Sequence, residues 1–326
     1  GLLLRLWNYR HEWYTLRPAG SSADFPEGLP PRQRPPMSLD HLYLETTIHP
    51  GYGQYFAVDR VLYESRTEHQ HLIIFENALY GRVMALDGII QTTEGDEFIY
   101  HEMLTHVPIL GHGKAQRVLI IGGGDGGMLR EVVKHRPLTN IVQVEIDGTV
   151  IELCKRYLPR HSQGAFDDPR LRLVIDDGLA FLANTADRFD VIISDSTDPV
   201  GPGKALFSQD FYRLCREHLN PGGVLVTQNG VPHIQRKEFI DTHRRRAALF
   251  ADAGYYGAPI PTYVGGLMAF GWASDDSRLR RQTLETLETR HRKASIHTRY
   301  YTPAIHHGAF ALPRYLEAQL GERGSG

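Results

Sequence analysis

The sequence predicts an α/β fold: a doubly wound, mostly parallel sheet preceded by a small antiparallel β-strand domain. Three observations carry that prediction. Four apolar, strand-sized runs follow one another in mid-chain, "RVLIIGGGDGG" (117–127), "IVQVEID" (141–147), "LRLVIDDG" (171–178) and "FDVIISDSTDP" (189–199), and each ends in a carboxylate. Helix-like stretches separate these runs, which is the alternation that builds a parallel sheet. Upstream, residues 55–93 switch to short alternating runs punctuated by Asn77 and Asp87-Gly88, the pattern of antiparallel hairpins.

In chain order, residues 1–36 stand apart. "LLLRLW" is too short for the core of a secretory leader, and "PEGLPPRQRPP" has the proline density of an extended linker, so a poorly ordered extension is expected. Residues 37–95 are assigned to the β-strand domain through "YFAVDRVLYE", "HLIIFEN", "GRVMALDG" and "IIQTTE". A helix is expected from about Asp96 to Leu110, followed by strand–helix alternation to about Trp272. "ETLETRHRK" and "LPRYLEAQL" supply terminal helices, completing a larger domain over 96–326.

Composition narrows the function classes. A net charge of -2 gives no long-range pull towards nucleic acid or an anionic membrane. The longest apolar runs are strand-sized and cannot span a bilayer. Two cysteines, Cys154 and Cys215, lie in helical-looking stretches and read as buried small side chains in a reducing, cytoplasmic setting. His69 and His71 share a strand face and His306 adjoins His307, but no HExxH or cysteine partner accompanies them, so no metal is expected. The basic run "HRRRAALF" (243–250) is read as a solvated helix face.

In an open α/β sheet the ligand crevice lies beyond the carboxyl ends of the strands, so Asp125, Glu145, Asp177, Asp195 and Asp198 should converge on one anionic pocket. Gly122, Gly124 and Gly127 match a dinucleotide fingerprint, with Glu145 placed to take a ribose. Nicotinamide nucleotides and S-adenosyl compounds both fit that turn. Asp125 separates them: beside a pyrophosphate, two unit charges about 4 Å apart cost about 1 kcal/mol in water and about 4 kcal/mol at an effective dielectric of about 20. The same repulsion acts on the carboxylate of S-adenosylmethionine. Removing that carboxylate leaves a wholly cationic ligand, decarboxylated S-adenosylmethionine. Gly201, Pro202 and Gly203 mark a shaped loop able to cover bound substrates.

"GGGDGG", "VEID", "DDG" and "DSTDPVGP", with the upstream "TEHQHLIIFEN" and "DGIIQTTEGDEFIYHEM" and the downstream "PTYVGG", resemble the spermidine synthases of the polyamine aminopropyltransferase family, bacterial type, from about Gln54 to about Leu312. The resemblance implies a seven-stranded, Rossmann-like, methyltransferase-type catalytic domain behind the β-strand domain, and a homodimer or homotetramer. It also implies transfer of an aminopropyl group from decarboxylated S-adenosylmethionine, a co-substrate and not a cofactor, to putrescine, giving spermidine and 5'-methylthioadenosine.

Carried over by residue, the resemblance makes Gln70, Glu145, Asp177, Gly178 and Pro202 nucleoside contacts, with Glu145 on the ribose hydroxyls and Asp177 and Gly178 at the adenine. Asp125 holds the donor's ammonium. Tyr100, His101, Asp198 and Tyr263 line the amine site, with Gln91 as a further member, and Asp195 is the proton acceptor. The chemistry agrees: an alkyl amine titrates near the lysine value and must lose a proton before it attacks carbon. Crowding by Asp198 and loop closure are expected to raise Asp195 into a useful range. A sulfonium is already a good leaving group, so the reaction needs no covalent intermediate. Acceptor identity stays open among putrescine, cadaverine, agmatine and spermidine. So do three other readings: an amine N-methyltransferase on the same framework, a nicotinamide oxidoreductase and a polyamine-binding protein without turnover.

Overall fold

The computed structural model describes residues 41–66, 71–196 and 201–321, all within a compact unit spanning Asp40–Gly326. The extension expected at 1–36 lies outside the described residues, as do Gln70, Asp198 and the Pro202 side chain.

The N-terminal part contains a hairpin, β1 (Leu42–His49) with β2 (Tyr52–Ala57), and a four-stranded antiparallel sheet, β3 (Arg60–Arg66), β4 (His71–Asn77), β5 (Gly81–Leu86) and β6 (Ile89–Thr93). The turn signals act as their chemistry requires. Asn77 Oδ1 accepts from the backbone N–H of Leu79 and Tyr80 at 3.0 and 2.9 Å, while Asp87 and Gly88 take positive φ between β5 and β6. Strand β1 was not anticipated from the sequence, and the run at 55–64 divides at Val58 and Asp59 into β2 and β3. Alternation in β4 serves two faces: Ile73 and Phe75 meet Phe56 of β2, while Leu72 and Ile74 meet Cys154 and Leu158 from much later in the chain.

Helix α1 (Glu97–His112) leads into the large sheet, whose order is β12 (Asp252–Pro259), β13 (Leu267–Ser274), β11 (Leu219–Gln228), β10 (Phe189–Asp195), β7 (Arg117–Gly122), β8 (Asn140–Glu145) and β9 (Leu171–Ile175). Strand β13 runs antiparallel to both its neighbours, and the pairings from β11 through β9 are all parallel. This is the seven-stranded, methyltransferase-type arrangement that the resemblance implies. The central strands β7, β8 and β10 are buried on both faces, as a sheet covered by helices must be, whereas edge strand β9 is partly exposed. In β7, Val118 and Ile120 join the cluster under α1, while Leu119 and Ile121 join the cluster containing Phe181 of α5 (Gly178–Asn184) and Phe211 of α6 (Gln209–Glu217).

The remaining helices are α2 (Gly127–Val133), α3 (Gly148–Tyr157), α4 (Pro159–Ser162), α7 (Arg236–Ala247), α8 (Leu284–Ala294), α9 (Pro303–Ala309) and α10 (Arg314–Leu320). Two of these correspond to the expected terminal helices, and α9 between them was unanticipated. The C-terminal segment is tied back to α1 by buried Glu102, whose carboxylate accepts from the backbone N–H of Arg299, Tyr300 and Tyr301 at 2.7, 2.8 and 2.7 Å. The basic run on α7 is not uniformly solvated. Arg246 is fully buried, with its guanidinium 4.6 Å from the Tyr255 ring and bonded to Asn229 Oδ1 at 3.2 Å. Cys154 and Cys215 are free and buried, and among the described residues no helix is long and apolar enough to cross a membrane.

Candidate active site

Strand order reverses between β7 and β10, so their carboxyl ends open a crevice at the switch point. Asp195 ends β10 and pairs with Gly122 at the end of β7. Gly122 has φ +87°, and a Cβ there would overlap the Asp195 carbonyl oxygen, so only glycine permits this approach. Buried Gln143 of β8 holds the glycine turn by donating to the carbonyls of Gly122 and Gly123 at 2.9 and 2.8 Å.

The turn then presents Asp125, whose Oδ1 accepts from the Gly127 N–H at 2.8 Å. Its Oδ2 faces His101 Nε2 at 3.5 Å and His161 Nε2 at 4.0 Å. Gly127 carries no side chain where one would strike the His101 ring, which allows α1 and α2 to close together.

Helix α1 supplies the opposite wall because it is buried almost end to end and points Tyr100 and His101 inward. The Tyr100 hydroxyl donates to Asp195 Oδ1 at 2.6 Å. Its ring meets Tyr263 edge to face at 5.9 Å, and the Tyr263 hydroxyl donates to the Gln91 carbonyl at 2.7 Å. The loop before Tyr263 is pinned by Asp96, which accepts from the Thr262 N–H and hydroxyl, each at 2.8 Å, through Oδ2. Tyr100, His101, Asp125, Asp195, Gln91 and Tyr263 thus gather at one place, from four separate stretches of chain.

Burial pushes the Asp195 carboxyl up to about 6; His101 holds it down, Asp125 adds to the rise and the Tyr100 hydroxyl opposes it. Asp198, whose crowding the sequence suggested, lies outside the described residues. Glu145, buried at the end of β8 with its carboxylate against Gly124, is pushed up to about 7 by burial first, although the Asp147 N–H stabilises its anion. Asp177 caps α5: its Oδ1 accepts from the N–H groups of Leu179 and Ala180 at 2.9 Å each, leaving Oδ2 for a ligand. Among the described residues, no cluster of three or more His, Cys, Asp or Glu side chains is placed to hold a metal ion. Of the histidines first considered for one, His71 is bonded to Glu64 at 2.8 Å and His306 to Tyr301 at 2.8 Å, while His69 lies outside the described residues.

The titration of Glu145 yields a prediction. If Glu145 takes both ribose hydroxyls, only its ionised form accepts from the two at once, because a protonated carboxyl turns one oxygen into a donor, so methylthioadenosine affinity should be constant above pH 8. Below about 7 it should fall roughly tenfold per unit as the carboxyl protonates. Calorimetric binding across pH 5.5–8.5 measures this; an affinity flat across about 7 would remove Glu145 from the ribose contact.

Sequence reasoning overlooked Glu97, Arg130 and His161, which surround His101 and Asp125. A partial signal existed, since Glu97 stands one helical turn before His101.

A methyltransferase-type sheet with a glycine turn, a buried acid on the second strand and paired carboxylates at the switch point is the framework of a nucleoside-dependent transferase. Two family models match: the spermine/spermidine synthase domain over residues 97–283 and the spermidine synthase tetramerisation domain over 43–94. A polyamine aminopropyltransferase of Pseudomonas aeruginosa is 64% identical over 279 residues, covering 86% of this chain and 98% of the relative. One from Escherichia coli is 57% identical over 279 residues, with 86% and 97% covered. Among solved structures, a spermidine synthase in complex with the transition-state analogue AdoDATO superposes with a TM-score of 0.82 at 38% identity, covering 91% of this chain and 99% of the other. The spermidine synthase of Thermotoga maritima gives 0.79 at 36%, covering 91% and 98%. The chain belongs to the spermine/spermidine synthase family of polyamine aminopropyltransferases.

Proposed function

We propose that this protein transfers the aminopropyl group of decarboxylated S-adenosylmethionine to putrescine, giving spermidine and 5'-methylthioadenosine. The observation that carries the reading is the pair Asp125 and Asp195, set at the switch point on either side of Tyr100 and His101. Glu145 takes the ribose hydroxyls, Asp177 and Gly178 the adenine, and Gln70 and Pro202 complete the nucleoside site. Asp125 pairs with the donor's terminal ammonium and so places the carbon next to the sulfonium in front of Asp195.

The acceptor lies along Tyr100, Tyr263 and Asp198. Its neutral nitrogen attacks that carbon, a C–N bond forms, the C–S bond breaks and its electron pair neutralises the sulfonium. The proton lost by the nitrogen passes to Asp195, whose pKa of about 6 leaves it ionised at neutral pH yet more basic than an ordinary carboxylate. Tyr100 donates to Oδ1, which leaves Oδ2 for the proton and fixes the carboxylate plane. The match of residues 43–94 to a tetramerisation domain supports a homodimer or homotetramer. A cytoplasmic location suits the two free cysteines.

Mass analysis of products from mixed amines, with decarboxylated and ordinary S-adenosylmethionine offered together, tests the reading. Spermidine should dominate. A methylated amine as the main product would identify an N-methyltransferase instead.

A further inference from the structure

His101 lies between two carboxylates. Nδ1 is 2.5 Å from Glu97 Oε2, and Nε2 is 3.5 Å from Asp125 Oδ2. A neutral imidazole carries one N–H, so one carboxylate would face a lone pair; only the doubly protonated ring satisfies both. Glu97 is in turn gripped by a two-pronged fork, with Arg130 Nη1 on Oε1 and Nη2 on Oε2, each at 2.9 Å. Arg130 Nε donates to Glu131 Oε1 at 2.8 Å, and Glu131 Oε2 meets His106 Nε2 at 3.0 Å. Glu97, His101, His106, Arg130 and Glu131 are all buried. Apart from His101, the reaction described above uses none of them.

We propose that Glu97, clamped by Arg130, is a positioning residue that holds His101 as a fixed imidazolium facing Asp125, and that this cation sets the basicity of Asp195. The groups facing the ring are Glu97 and Tyr100 on α1, Asp125 on the turn before α2, His161 on α4 and Asp195 on β10, with Arg130 and Glu131 behind Glu97 on α2. Burial alone would lower the His101 pKa, but Asp125, Glu97 and Asp195 overcome it and raise it to about 9. His161, bonded to Thr92 Oγ1 at 2.8 Å, is instead lowered by burial, so the cation of the pair is His101. Removing the charge of Glu97 makes the imidazolium easier to deprotonate. Removing the imidazolium altogether would take from Asp195 the cation that holds it down, and the carboxyl would rise further.

The inference rests on Asp195 being the base of the reaction proposed above, whereas the charge of His101 does not. In the wild-type protein, NMR titration of the His101 ring should give a pKa near 9; a value at or below the ordinary 6.5 overturns the proposal even if no variant folds. Glu97→Gln keeps an acceptor for Nδ1–H and removes the charge. In it the His101 pKa should drop by about 1 pH unit, which leaves the ring charged where Asp195 titrates; His101→Asn, which removes the cation itself, should move the acid limb of kcat at saturating donor up by about 1 pH unit. Circular dichroism and methylthioadenosine binding serve as controls for folding. An unchanged His101 titration in folded Glu97→Gln overturns the role of Glu97. A wild-type acid limb in folded His101→Asn overturns the coupling to Asp195.

Discussion

Asp195→Asn should lower turnover by on the order of 10² to 10⁴, the usual contribution of a general base. The change preserves the acceptor for the Tyr100 hydroxyl, so the contact at 2.6 Å and the wall it organises should survive. Methylthioadenosine should still bind, which distinguishes a lost base from a lost fold. In the wild-type enzyme at saturating donor, where the titration of Glu145 no longer limits binding, spermidine formation should decline as pH falls through about 6, because the carboxyl is protonated there and cannot take a proton. In the variant that limb disappears, and activity should climb steadily with pH as more of the amine arrives neutral. A side chain that only positions substrate would keep the wild-type profile at reduced height. Near-normal turnover of the Asn variant at neutral pH would move the role of base to another group.

Asp125→Asn should weaken decarboxylated S-adenosylmethionine by roughly 10- to 100-fold, corresponding to about 1.5–3 kcal/mol for a hydrogen bond to a charged group. Methylthioadenosine, which has no aminopropyl arm, should change by less than about threefold under the same estimate. The reasoning depends on the division of labour between the two oxygens. Oδ1 holds the turn through the Gly127 N–H, and an amide oxygen does this equally well, while Oδ2 lies 3.5 Å from His101 Nε2 and carries the charge that the substitution removes. Calorimetric titration with both ligands measures the ratio. Equal weakening would mean that Asp125 shapes the glycine turn and does not recognise the ammonium.

How much of the site was legible varies with the physics behind each residue. Asp125, Glu145, Asp177 and Asp195 could be read because each follows an apolar run at the end where a parallel sheet opens its crevice, a consequence of chain direction alone. Tyr100 and His101 were reached through a resemblance of motifs; the helix bearing them is buried nearly all round and so lacks the polar face that would orient it in a helical projection. Arg246 was misread for the opposite reason. It stands in a strongly basic run, and nothing local separates the one guanidinium that turns inward against Tyr255 from its solvated neighbours.

By itself the sequence determined the fold class, the four parallel strands that end in carboxylates and the turns at Asn77 and Asp87-Gly88, because periodicity, glycine conformations and carboxylates at strand ends depend on neighbours in the chain. Protonation state belonged to the tertiary structure. The hydrogen bond between Tyr100 and Asp195 joins residues 95 positions apart, and the fork from Arg130 to Glu97 spans 33. Such pairs exist only once α1 has been laid across the ends of β7 and β10. The same packing takes water from Asp195 and Glu145 while pressing two carboxylates onto His101. Desolvation and Coulomb forces inside a closed cleft scale with three-dimensional distance and burial, and neither quantity is encoded in sequence spacing.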